Sequence, residues 1–428
     1  MSFRFVHAAD LHLDSPLRSL ALRDQALAEL IGNATRRAFM AIVRLCLEER
    51  VDALLLSGDL YDGEATSMKT ARFLADQVDL LHQAGVRMFI IRGNHDAVSR
   101  ITRELAFPQS VTIFGARAEA VPLAGGQGGL PVVIHGISFA QPHAPESLLS
   151  KFRPPVEGAV NIGLLHTSLG GAAGHDPYAP CDVSALQAMG FRYWALGHLH
   201  KRSALTGAGS GAGATTIVMP GMPQGRDIGE AGAKSVTLTT VADDGSITVE
   251  ERPTGVAQFE RIRIDLAGVE HWRDVAAALA TGLGQARDGV ASEHLVARLQ
   301  LTGTTSLAWQ LRRDPDLLEA EAGRQAEGIG RTWIDRIEME CRAPQAAPGL
   351  VQTDPLEELR RLMGEVAGGH AFREEIAGIA EELRRQLPPE CRSILGAGAE
   401  AFEAALDAAA QEGIDDVVAQ LKLGAGGG

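Results

Sequence analysis

A repeated stop constrains this chain more than any other feature. Five times in its first half an apolar, strand-like run ends on a short polar cluster. The clusters are Asp10-Leu11-His12, Gly58-Asp59, Gly93-Asn94-His95-Asp96, Leu165-His166-Thr167 and Gly197-His198-Leu199-His200. The runs that lead into them, Phe3–Ala9, Ala53–Ser57, Val86–Ile91, Asn161–Leu165 and Tyr193–Leu196, have the length and composition of strands. Between them Phe39–Glu48 reads as a helix. Thr70–Gln83 does too, with Leu74, Val78 and Leu81 on one face and Gly85 as its stop. Further strands are expected at Val132–Ile137, Thr216–Met219 and Ser235–Val241. Such alternation predicts an α/β fold with helices on the faces of a sheet. In sheets of that kind ligands sit just beyond the carboxyl ends of the strands, where the five clusters fall.

The clusters offer carboxylate, imidazole and amide donors and no thiolate. That set suits manganese, iron or zinc better than copper or an iron–sulfur cluster. Gly58, Gly93 and Gly197 let the backbone turn tightly beside the donors. With His95 set aside, Asp10, His12, Asp59, Asn94, His166, His198 and His200 outnumber the positions around one ion. They suit two divalent ions bridged by a carboxylate. A two-metal site clamps a phosphoryl group and makes a hydroxide nucleophile available near neutral pH, which implies in-line hydrolysis of a phosphate ester. One Asp-x-His after a strand is more often an ordinary loop, but five such clusters in order are hard to explain as solvated turns. His7 and His135 lie inside strands and read as satisfied core groups or as groups standing behind the ligands.

The rest of the chain narrows the class. No apolar run is long enough to span a bilayer. Met1–Asp10 enters a strand directly, with no basic and apolar leader. Cys46, Cys181, Cys341 and Cys391 are scattered and form no CxxC pair, as expected of reduced thiols. A soluble, cytoplasmic protein without a membrane role is expected. The net charge of −14 argues at first sight against a nucleic-acid partner. Most of that deficit lies beyond residue 255, however, so it counts little against the first part.

Past Gln258, Phe259–Asp265, Leu295–Leu301 and Ile334–Cys341 alternate like strands, with helical stretches between them, Val269–Leu283 being the first. A Pro/Ala/Gly linker at Ala343–Gly349 leads to helices at Pro355–Met363, Phe372–Gln386 and Ala399–Lys422, then a Gly-rich tail expected to be disordered. Three segments follow: 1–255, 256–345 and 346–428.

The order DLH, GDLYD, RGNHD, LLHTS, ALGHLH resembles the calcineurin-like metallophosphoesterase superfamily. Within it, AADLHLDSPL, SGDLYDG, IIRGNHDAVSRITREL, HGISFAQPHAPESLL, LLHTSLGG and HDPYAPC are similar to the nuclease subunit of SbcCD-type DNA-repair exonucleases, in the YhaO-like branch. The likeness covers residues 1–255 by motif and the rest by layout. It implies a layered β-sandwich flanked by helices, followed by a small α/β cap that helps hold DNA and by C-terminal helices that grip an SMC-like coiled-coil ATPase. It implies that Asp10, His12, Asp59 and His200 hold one ion, with Asp59 bridging to a second held by Asn94, His166 and His198. His95 would act on the scissile phosphate as the catalytic histidine, and Asp96 is expected to orient it. The implied activity is a two-metal DNA phosphodiesterase, manganese foremost with iron or zinc possible, in double-strand-break processing. A homodimer and nucleoid association when acting on DNA follow. The competing substrates are a nucleotide, a phospholipid or a phosphoprotein. Asp14 and Asp62 fit either ligand support or loop capping, and His143 and His175 lie in loops near the expected site.

Overall fold

The computed structural model describes residues 2–15, 25–61, 67–98, 107–123, 131–170, 178–207, 214–344, 355–387, 396 and 398–422. Asp62, His175, Cys391, the Gly-rich tail and most of the Ala343–Gly349 linker lie outside these residues.

Two six-stranded sheets form the first part. One runs in the order β12-β11-β1-β2-β3-β4 and the other β5-β6-β7-β8-β10-β9. In the first, β1 (Phe3–Ala8), β2 (Ala53–Ser57), β3 (Arg87–Ile91) and β4 (Val111–Ile113) are parallel; β11 (Ser235–Val241) and β12 (Ile247–Pro253) continue it antiparallel. In the second, β6 (Val132–Gly136), β7 (Val160–His166), β8 (Tyr193–Gly197) and β10 (Thr216–Met219) are parallel. Its edges, β5 (Glu119–Leu123) and β9 (Ser203–Thr206), are antiparallel.

Period-two side-chain alternation builds the layers. Phe5, Leu55, Phe89 and Ile91 of the first sheet meet Ile134, Ile162, Leu164, Tyr193 and Val218 of the second in a shared interior. Their neighbours Val6, Leu54, Leu56, Met88 and Ile90 face the other way. They pack under Phe39, Ile42 and Val43 of α1 (Gln25–Glu48) and Leu74, Val78 and Leu81 of α2 (Met68–Gln83). On the far side of the second sheet, Trp194, Leu196, Ile217 and Met219 pack with Phe139, Phe152, Phe191 and Leu186, the last from the short helix α3 (Val183–Ala188). The result is the expected layered sandwich with helices on its outer faces.

The strands named from sequence are present. The additional strands β4, β5, β9 and β12 lie at sheet edges. The chain divides into two compact units, one of Met1–Arg261 with Ala286–Arg298 and Arg331–Asp335, the other of Ile262–Gln285, Leu299–Gly330 and Arg336–Gly428. The later residues form a three-stranded sheet in the order β13 (Ala257–Asp265), β14 (His294–Thr302), β15 (Thr332–Met339). Helix α4 (Trp272–Gly289) joins the first two strands and α5 (Ala308–Arg313) with α6 (Pro315–Ile329) the last two, which is the β-α-β-α-β order read from sequence. Beyond it run α7 (Pro355–Ala367), α8 (His370–Gln386) and α9 (Ala399–Leu421), where Phe402 and Leu406 of α9 pack on Ile376 and Ala380 of α8. None of the described helices is long and apolar enough to cross a membrane.

One buried histidine ties the two sheets. His7 on β1 shares its Nδ1 with the Tyr193 hydroxyl at 3.1 Å, and its Nε2 lies 3.0 Å from the Leu196 carbonyl. Burial pushes its pKa down to about 3, against a smaller lift from the Leu196 carbonyl. An unfolded chain binds this proton below its ordinary value of about 6.5, and the native protein does not. The contribution of His7 is therefore complete above about pH 6.5 and is lost as pH falls toward 3. Stability should fall in that window by up to about 1.4 kcal/mol per pH unit from this residue. Denaturant titrations of His7→Gln between pH 5 and 7 should show a shallower acid slope. An unchanged slope would remove His7 as a cause.

Candidate metal centre

The ends of β1, β2, β3, β7 and β8 deliver the polar clusters to one place. The loops after β1 and β2 run side by side, with Asp10 N–H donating to Gly58 O at 3.1 Å, His12 N–H to Asp59 O at 3.0 Å and Leu13 N–H to Leu60 O at 3.0 Å. Two groups of donors result, each with ligand atoms within 4.8 Å of one another: Asp10, His12 and His200, and Asp59, His166 and His198. Asn94 joins the second, its Oδ1 3.0 Å from His166 Nε2. All seven residues that the sequence nominated as ligands thus lie in one centre.

The backbone here is strained. Asp10, His12, Asp14, Asp59 and His198 have φ of 54°, 42°, 58°, 52° and 108°. Non-glycine residues enter that region at a cost of about 1–3 kcal/mol each, and such residues cluster at functional sites. The glycines have a different task, which is close approach. A Cβ on Gly93 would stand 2.7 Å from the His166 ring and closer still to an Asp59 oxygen, and one on Gly197 would strike the Ser57 carbonyl.

Two of the imidazoles, His166 and His200, are aimed by their other nitrogen. His166 Nδ1 is 2.9 Å from Ser57 O, which leaves Nε2 facing Asp59 Oδ2 at 3.3 Å. His200 Nδ1 is 2.8 Å from Glu230 Oε1, and its Nε2 faces His12 Nε2 at 3.2 Å. Two ring nitrogens at that separation require a proton or a cation between them. The Asp10 carboxylate accepts the His198 amide on both oxygens at 3.1 Å.

Both Asp10 and Asp59 are buried. Among the described residues neither is paired with Lys or Arg; the positive charges that act on them are histidines, His166, His200 and His12 on Asp10 and His166, His12 and His95 on Asp59. Burial raises Asp10 above the ordinary carboxylate range, against the pull of His166 and His200. Burial also pushes Asp59 up, but His166, with its charge and hydrogen bond, and then His12 and His95 hold it well below that range. His166 in turn is lifted to about 9: burial pulls it down, but the charge and hydrogen bond of Asp59, the Asp10 charge and the Ser57 carbonyl together outweigh it. Buried carboxylates need a compensating charge. A hard N/O donor set with its lone pairs gathered on two points fits divalent cations.

His95 is exposed at this centre. Its amide donates to Asp59 Oδ1 at 3.0 Å, and its ring stands edge-on to His12 with centroids 4.9 Å apart. Asp96 does something other than the expected orienting of the His95 ring. Its hydrogen bonds go to the amides of Gly93 at 2.7 Å and Leu60 at 2.9 Å, so it fixes the loop that carries His95. Asp14 is bound by Arg36 and Thr70, which supports the loop after β1. His7 and His135 are core groups, His135 bonded to Asn161 Oδ1 at 2.8 Å. Tyr178 lies beside His198 at 5.2 Å between centroids, with His143 beyond it at 6.1 Å. Sequence reasoning missed Glu230, whose lone carboxylate in a loop has no motif around it to mark it.

Comparison with known proteins agrees with this geometry. Residues 3–202 match the calcineurin-like phosphoesterase family, and residues 259–342 match the middle domain of metallophosphoesterase YhaO. The chain is 29% identical over 340 residues to the uncharacterized metallophosphoesterase YhaO of Bacillus subtilis, covering 78% of this chain and 81% of that protein. It is 26% identical over 209 residues to the DNA double-strand break repair protein Mre11 of Methanopyrus kandleri, covering 46% of this chain and 44% of that one. A stretch of 101 residues is 33% identical to a subunit of the nuclease SbcCD of Rhodobacter capsulatus, covering 23% of this chain and 22% of that one. The chain thus spans under half the length of these Mre11 and SbcCD relatives.

Proposed function

With residues 3–202 forming a calcineurin-like metallophosphoesterase domain, we propose that the protein hydrolyses phosphodiester bonds of DNA with two divalent cations. Manganese is the first choice of metal, with iron and zinc as alternatives. The observation that carries this reading is convergence: donors from five strand ends meet in one partly buried centre, with His95 exposed beside them. Asp10, His12 and His200 would hold one ion and Asn94, His166 and His198 the other, with Asp59 as the ligand shared by both. Bound divalent cations supply charge neutralisation for a phosphoryl group and an activated water. The protein supplies the geometry. Ser57 O and Glu230 fix the two imidazoles, and Asp96 holds the loop so that the His95 ring can protonate the leaving oxygen or stabilise its charge.

DNA is favoured as substrate because relatives named as Mre11 and as a subunit of the nuclease SbcCD are similar to part of this chain. On this reading residues 1–255 are catalytic, 256–345 cap the DNA, and 346–428 dock an SMC-like ATPase in processing broken ends in the cytoplasm, at the nucleoid. Support for docking comes from exposed Leu362 and Val366, one turn apart on α7, and Ile379 and Leu383, one turn apart on α8. A homodimer belongs to the same reading. The alternative keeps the chemistry and replaces DNA with a nucleotide, phospholipid or phosphoprotein.

The test is manganese-dependent turnover of end-labelled duplex and single-stranded DNA beside bis-p-nitrophenyl phosphate and a cyclic nucleotide. DNA cleavage is expected; inert DNA with rapid turnover of a small diester would move the protein to the alternative. His95→Ala should slow DNA cleavage by about 10²–10⁴-fold while two ions stay bound. Cleavage at the wild-type rate would take His95 out of the chemistry.

A further inference from the structure

The two halves of the centre are backed differently. His166 leans on a neutral carbonyl, Ser57 O, whereas His200 leans on a carboxylate, Glu230 Oε1, at 2.8 Å. Glu230 sits at the end of a single turn, Ile228–Glu230, begun by Asp227, whose side chain accepts the Gly229 amide at 2.7 Å. Its carboxylate is held from behind by Arg226, which donates its backbone N–H at 2.8 Å and its Nη2 at 2.6 Å. Arg226 Nη1 reaches onward to Ser15 Oγ at 3.3 Å, on the loop that carries Asp10 and His12. A chain of polar contacts therefore joins His200 to the segment bearing the other donors of its half.

We propose that Glu230 is a positioning residue for the ion held by Asp10, His12 and His200, fixing the ring and tautomer of His200 so that Nε2 is the ligand atom. This rests on the two-metal reading above. A carboxylate behind a ligating histidine sets the ring orientation and raises ligand basicity, and its loss weakens metal binding by about 10–100-fold. Because His166 has its own support, Glu230 governs one half of the centre and leaves the other alone.

The test is calorimetric titration of manganese into the metal-free full chain, with circular dichroism in chelator as the check on folding. Wild type should bind two ions. In Glu230→Ala one binding event should weaken about 10–100-fold and the other stay within about twofold. Glu230→Gln keeps the shape and an acceptor but loses the charge, so it should weaken the same event by about threefold or more. Glu230→Gln alone decides the matter should the alanine variant fail to fold. Folded variants in which both events are unchanged, or both weaken equally, overturn the proposal. A wild-type chain that binds fewer than two ions refutes the two-metal reading instead.

Discussion

Replacing Asp59 by asparagine should lower phosphodiester hydrolysis by about 10³-fold or more, equivalent to about 4 kcal/mol of lost transition-state stabilisation. Asp59 is buried, 3.3 Å from His166 Nε2, and its carboxylate also feels His12 and His95. No other carboxylate stands among the donors of its group. Asparagine keeps the shape and an acceptor for the His95 amide, so the loop should survive. What disappears is the only carboxylate charge of the group formed with His166 and His198. A ligand that binds only the native state raises its melting temperature by mass action. Manganese should therefore raise the melting temperature of the wild type and do so much less for the variant. A variant that hydrolysed substrate within tenfold of wild type would exclude Asp59 as the bridging ligand.

A single methyl group at Gly93 should do comparable damage by another route. An alanine Cβ there meets an Asp59 oxygen and stands 2.7 Å from the His166 ring, side chains that are themselves held by hydrogen bonds. Overpacking costs about 1–3 kcal/mol where neighbours cannot yield. Displacing the donors by about 1 Å is enough to cost about 10²-fold in rate. Gly93→Ala is expected to lose activity by at least that factor and to blunt the stabilisation by manganese. Gly284→Ala on α4, where a Cβ finds nothing within 4 Å, should leave both untouched. Equal behaviour of the two variants would show that the space around Gly93 is softer than its neighbours indicate.

The parts of this molecule that are legible in sequence share a cause. Buried parallel strands such as Leu54–Leu56 and Ile162–Leu165 are continuous apolar runs, and the donors follow directly where those runs stop. The edge strands do not show themselves. Ser203–Thr206 is exposed along its whole length, β4 has three residues, and β5 contains Pro122, so none has the pattern that burial imposes. The donors are legible because their types are unusual in company. Glu230 is hidden because its role arises from a contact 30 residues distant from His200, which no local pattern encodes. Asp96 belongs to the expected loop but has a different partner from the one expected. Sequence adjacency suggests the ring of His95, while the fold turns the carboxylate toward the Gly93 and Leu60 amides.

The left-handed backbone at Asp10, His12, Asp59 and His198 has a consequence for descent. Glycine, which has no Cβ, would occupy those dihedral angles with less strain. Selection for folding alone therefore pushes these positions away from the residues found there, and only selection for the chemistry holds them. A descendant relieved of catalysis should drift first at these four sites and become more stable as it does. Their identity in any sister chain thus reads as a record of whether its chemistry is still under selection.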